Sequence, residues 1–122
     1  MPPDIRIKRV YEPAGPQDGF RVLVDRVRPR GMTKDRVQAD LWLNDAAPGT
    51  ELRKWYSHDP LKWEEFKKLY FQELDAKPEI IGRLLDLAVE KPLTLLFASH
   101  EQILNQAAAL KEYLLSKSGL ST

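Results

Sequence analysis

An α/β fold is what this sequence predicts: a single small domain spanning residues 1–122, with a short, largely parallel sheet flanked by helices. Three observations lead there. The chain has 122 residues, the usual size of one domain. Residues 20–24 and 93–98 are apolar on both faces and too short for globular helices, as the central strands of a parallel sheet require. The segments between and after them carry apolar side chains at the three- and four-residue spacing of buried helix faces.

Taken in order, residues 4–11 alternate through Ile5, Arg6, Ile7, Lys8, Arg9 and Val10, which predicts an edge strand with one wet face. Residues 13–19 form a turn-rich loop, and Phe20, Val22, Leu23 and Val24 then make the first central strand. From Thr50 a helix is expected, capped by the threonine, with Glu51 at its positive end and Leu52, Trp55 and Tyr56 on one face. It ends near His58. Asp59 followed by Pro60 starts the next helix, whose buried stripe is Trp63, Phe66, Tyr70 and Leu74. Pro78 opens another, with Ile81, Leu84, Leu85 and Ala88 inward. After the break at Pro92 comes the second central strand, and Ser99 is expected to cap the last helix, with Ile103, Ala107, Leu110 and Leu114 as its stripe. The aromatics Trp42, Trp55, Trp63, Phe66 and Tyr70 read as core and not as a base-stacking platform.

Composition narrows the function classes. Without cysteine there is no disulfide framework, no thiolate zinc site and no cysteine nucleophile. No apolar run approaches the roughly 20 residues that cross a bilayer, and the amino terminus has no apolar stretch like that of a secretory signal, so a cytoplasmic protein without membrane contact is expected. A net charge of +1 makes any anion binding local and does not favour nucleic acid as a partner. Metal-ligand spacing and the glycine-rich nucleotide motifs are missing from the sequence, so no metal and no cofactor are expected.

The unusual segment starts where the first central strand loses its apolar character. Arg26, Arg28, Arg30 and Lys34 follow Asp25 closely, around Pro29 and Gly31. Ligands of open α/β sheets collect at the carboxyl ends of strands, so cations there suit an acidic ligand. Alternatively they pair with Asp25, Asp35, Asp40 and Glu51. Ser99, His100 and Glu101 follow the other central strand, where a helix start offers backbone N–H groups to an anion or simply holds a cap. His58, beside Asp59, reads as a proton carrier or as a structural hydrogen-bonding histidine.

The succession Leu23-Val24-Asp25-Arg26, Pro29-Arg30-Gly31, Lys34, Ala47-Pro48, Glu51-Leu52-Arg53-Lys54-Trp55, His58-Asp59-Pro60, Trp63, Phe66, Tyr70 and Glu73-Leu74 closely resembles the bacterial YeaO-like proteins. These form the short branch of DUF488, a domain-of-unknown-function family. The match continues through Leu95-Leu96-Phe97-Ala98 and Asn105 to Tyr113-Leu114, covering nearly the whole chain. The resemblance implies a cytoplasmic α/β protein without an established activity. Its recurrent polar positions fall on Asp25, Arg26, Arg30, Lys34, Arg53, His58, Asp59 and Asn105. This chain departs from the family pattern at Val27-Arg28, usually Leu-Trp, at His100-Glu101, usually Lys-Asp, and at Gln106, usually histidine. Longer relatives resemble a Cys-His-Arg arrangement near residues 105–107, so chemistry needing that cysteine is absent here.

The leading expectation is a site for a small anion, a nucleotide or phosphorylated metabolite, at the carboxyl ends of the central strands. Arg26, Arg30, Lys34, Arg53, Ser99 and Asn105 are its candidate ligand-binding residues. If the protein is an enzyme, a metal-free hydrolase or transferase is expected, with His58 carrying the proton and Asp25 or Asp59 orienting it. The alternative is a nucleic-acid or protein interaction module without catalytic activity.

Overall fold

The computed structural model describes residues 3–26, 31–57, 59–99 and 104–119. Its sheet contains β1 (Ile5–Arg9), β2 (Phe20–Leu23), β3 (Leu41–Trp42) and β4 (Leu93–Phe97) in the order β1-β4-β2-β3, with every neighbouring pair parallel. The helices are α1 (Lys34–Val37), α2 (Thr50–Tyr56), α3 (Trp63–Asp75), α4 (Pro78–Glu90) and α5 (Gln106–Gly119). The fold is therefore the α/β domain that the sequence predicts, with β4 and β2 adjacent at its centre.

All of β4 is buried, because both of its edges are paired and both of its faces covered. Ile5, Val22, Val24, Leu93, Leu95 and Phe97 face the main core, where Phe66, Tyr70, Leu84, Leu110 and Leu114 meet them. The opposite face is covered by thinner structure. Val10, Leu23 and Leu96 pack there against Val37 of α1.

Toward the amino ends of the strands that second face is ionic. Arg21, 6% exposed, donates to Asp18, to Gln38 O at 2.9 Å and to Val37 O at 2.9 Å. Lys8 Nζ reaches both oxygens of Asp18 at 3.2 Å, Gly15 N–H donates to Asp18 at 3.1 Å, and Thr94 Oγ1 donates to the Asp18 carbonyl at 2.7 Å. The face of β1 expected to be wet is thus half-covered by the loop returning from β1 to β2, which Arg6 also holds through Gln17 O at 2.7 Å. Gly19 closes this return at φ +66°, where an added Cβ would lie 2.1 Å from Pro92 O. A side chain there would break the backbone bond from Phe20 N–H to Pro92 O.

Several local expectations need correction. Gly49, not Thr50, is the N-cap of α2, and Thr50 is its first helical residue. Asp59 caps a 3-10 turn, Pro60–Lys62, that leads into α3. Ser99 does not cap α5, which begins at Gln106. Its cap is Asn105, whose Oδ1 accepts from Ala108 N–H at 2.9 Å. Trp42 and Trp55 are not core residues, being 41% and 40% exposed. Trp63 is half-buried, and Tyr56 takes the expected place of Trp55, stacking on Phe66 with ring centroids 4.2 Å apart. α1 and β3 fall where no element was expected, between residues 31 and 43.

Candidate functional site

β2 and β4 lie side by side and run parallel, so the chain leaves both at one edge of the sheet. Asp25 fastens the two exits together. Its Oδ2 accepts from Ala98 N–H at 2.9 Å, just past β4, and its Oδ1 accepts from the Gln106 side-chain amide at the start of α5. Its backbone carbonyl accepts from Trp42 Nε1 at 2.7 Å, tying in β3. One residue thus touches the ends of β4 and β3 and the first turn of α5.

Burial raises the Asp25 carboxyl above its ordinary range, because desolvation penalises the charged form. The Ala98 N–H, the Gln106 amide and the positive charge of Arg53 oppose that rise without cancelling it. Neither hydrogen-bond donor titrates at ordinary pH, since one is a peptide N–H and the other a carboxamide. Asp25 and Gln106 therefore form a clamp and not a proton-transfer pair.

Arg26 follows immediately and is half-buried. Among the described residues its guanidinium makes only long contacts, Nε to Pro48 O at 3.4 Å and Nη2 to Ala47 O at 3.5 Å. Arg53, one turn into α2, is exposed and lies within electrostatic reach of Asp25. Among the described residues neither arginine has a carboxylate within 4.0 Å. Pairing of the loop arginines with Asp25, Asp35, Asp40 or Glu51 is thus not found for Arg26 among the described residues.

The remaining candidates divide clearly. Asp59 is engaged as a cap, with Oδ1 accepting from Leu61 N–H at 3.0 Å. Asn105 is fully buried and caps α5, while Tyr56 Oη donates to the adjacent Leu104 carbonyl at 2.8 Å. Ser99 presents its carbonyl to Arg9 Nε at 2.9 Å, so the exit of β4 is also tied to β1. Arg30 and His58, and with them Arg28 and His100, lie outside the described residues, as does the Lys34 side chain. Asp25, Arg26 and Arg53 are therefore the members brought together at the sheet edge.

Sequence reasoning missed Gln106 as the partner of Asp25. They are 81 positions apart, and only the family's usual histidine at 106 marked that position as one that matters. A concavity of about 340 Å³ lies on the thinner face, lined by Tyr11, Met32, Arg36 and Gln38 among others. No group of three or more histidine, aspartate or glutamate side chains among the described residues is placed to hold a metal ion. Nor is any helix among them long and apolar enough to cross a membrane.

The comparisons with known proteins span nearly the whole chain. The uncharacterized protein YeaO of Escherichia coli (strain K12) is 39% identical over 113 residues, covering 93% of this chain and 98% of the relative. The uncharacterized proteins Mb3100c of Mycobacterium bovis and Rv3073c of Mycobacterium tuberculosis are each 39% identical over 112 residues, covering 90% of this chain and 92% of theirs. No solved structure matches at the same level of significance. Residues 4–120 match the family model DUF488-N3i, described as the inactive DUF488-N3 subclade, and the chain belongs to that YeaO-like branch of DUF488.

Proposed function

We propose that this protein is a non-catalytic binding domain for a small anion, a nucleotide or phosphorylated metabolite, held where β2 and β4 end. The observation that carries the reading is Arg26, a half-buried guanidinium held only by carbonyl contacts of 3.4 and 3.5 Å and without a carboxylate within 4.0 Å among the described residues. A cation in that position gains from a phosphate or carboxylate ligand, which offers the paired acceptors that a guanidinium fits. Arg53 supplies a second positive charge within electrostatic reach of Asp25.

The non-catalytic part rests on Asp25 and Gln106. A buried carboxyl with a raised pKa is a good general base only if a free oxygen faces the substrate. Here each oxygen already accepts one hydrogen bond, from a peptide N–H and from a carboxamide, which fixes the carboxyl as a tie between strand ends. The family's description as inactive points the same way.

Thermal shift in the presence of pyrophosphate, adenosine monophosphate and a sugar phosphate tests the reading. An anion at about 100 times its Kd should stabilise the fold by about 2.7 kcal/mol. The double variant Arg26→Gln, Arg53→Gln should lose that response while its ligand-free melting temperature stays within a few degrees of the parent. A response that persists in the double variant, a response to none of the anions, or turnover of any of them contradicts the proposal.

A further inference from the structure

A groove of about 530 Å³ runs between α2 and α3 and is lined by Glu51, Leu52, Trp55, Leu69, Gln72 and Glu73, none of them a member of the clamp at Asp25. We infer that it docks an apolar segment of a partner protein bearing arginine or lysine. Charge and shape argue for that occupant. Leu52, Trp55 and Leu69 give the groove an apolar floor, and Trp55 stays 40% exposed in a fold whose other large residues at helical spacing are mostly covered. Exposed tryptophan rings are favoured anchors of protein interfaces, and they attract cations to their faces.

Glu51 and Glu73 supply the charge. Neither has a basic side chain within 4.0 Å among the described residues. One oxygen of Glu73 accepts from Gly49 N–H at 2.8 Å, which fixes the carboxylate at the groove and leaves the other oxygen to a ligand. The chain itself demonstrates what the tryptophan attracts: Lys62 Nζ lies 5.1 Å from the Trp55 ring centroid while donating to the Trp55 carbonyl at 2.8 Å. An acidic phosphate ligand is disfavoured here by the same two carboxylates, so this surface is separate in chemistry from the anion site.

The chain has tryptophans at 42, 55 and 63, so indole N–H resonances report on the groove residue by residue. The probe is a short synthetic peptide alternating leucine and arginine, with a control in which glutamate replaces arginine. The arginine peptide should shift the Trp55 indole signal progressively and leave that of Trp42 in place, with binding that weakens as salt rises. Glu51→Lys, at an exposed position outside the core, should weaken that binding by about tenfold, and Trp55→Ala by at least as much. Equal binding of the glutamate peptide, equal shifts from guanidinium chloride alone, or unchanged affinity in both variants would overturn the inference. So would a Trp55 signal that moves with protein concentration alone, since a second copy of the chain would then be the occupant.

Discussion

Replacing Asp18 with asparagine keeps the size of the side chain and removes its charge. Asp18 and Arg21 are 11% and 7% exposed at their side chains, and the Arg21 guanidinium has no other carboxylate partner among the described residues. Asp18→Asn therefore strands a buried guanidinium, whose remaining partners are the Val37 and Gln38 carbonyls. Breaking a buried pair from one side typically costs about 3–5 kcal/mol. For a chain of 122 residues the unfolding entropy is about 0.26 kcal/mol/K, so the melting temperature should fall by about 10–20 °C. The double variant Asp18→Asn, Arg21→Met removes the stranded charge and should be less destabilised than the sum of the two single changes, by about 1 kcal/mol or more. Acid should act in the same direction. Lys8, Arg21 and the Gly15 N–H hold the Asp18 carboxyl below its ordinary value of 3.8 despite partial desolvation. Its stabilisation is present above that value and disappears as pH falls through the lower folded-state pKa. The advantage of the parent over Asp18→Asn should therefore narrow in acid. A fall in melting temperature of less than about 3 °C at neutral pH, or strict additivity in the double variant, would refute the view that this pair supports the fold.

Asp25 should behave in the opposite sense. Its folded pKa is raised by burial, so its charged form costs stability, a cost fully present above the folded pKa and relieved as pH falls toward 3.8. Asp25→Asn, measured by denaturant unfolding at several pH values, should lose that slope and unfold no more easily than the parent at neutral pH. Phe66→Ala, 1% exposed and stacked against Tyr56 and Tyr70, should cost about 3–5 kcal/mol, whereas Trp55→Ala should cost less than about 1 kcal/mol. Asn105→Ala should cost about 1–2 kcal/mol and speed hydrogen exchange at the Ala108 amide, because it removes the cap of α5.

The sequence made β2, β4 and α2 to α5 legible because each repeats an apolar pattern for several residues. α1 and β3, at four and two residues, are too short for any period to register. Trp55 fits the helical stripe as well as Tyr56 does, and only the crossing of α2 over α3 decides that Tyr56 meets Phe66. The ionic layer was hidden differently. Arg21 stands between Phe20 and Val22 in a buried run, and the presence of Asp18 three residues earlier was the available signal. At the candidate site, adjacency of β2 and β4 could only be assumed from sequence, and the topology supplies it. Arg26 and Asp25 were visible as a charged strand exit. The clamp from Asp25 to Ala98 and Gln106 spans 73 and 81 residues and follows from the parallel pairing, which no local pattern encodes.

In the proposed function an anion is held by Arg26 and Arg53 beside the Asp25 clamp. Backbone amide chemical-shift mapping during a titration with adenosine monophosphate tests it most directly. Saturable shifts should concentrate at Arg26, Arg53 and Ala98, with those at the Asp18 and Arg21 layer unchanged. Saturable shifts confined to residues away from the ends of β2 and β4, or none at millimolar ligand, would contradict it.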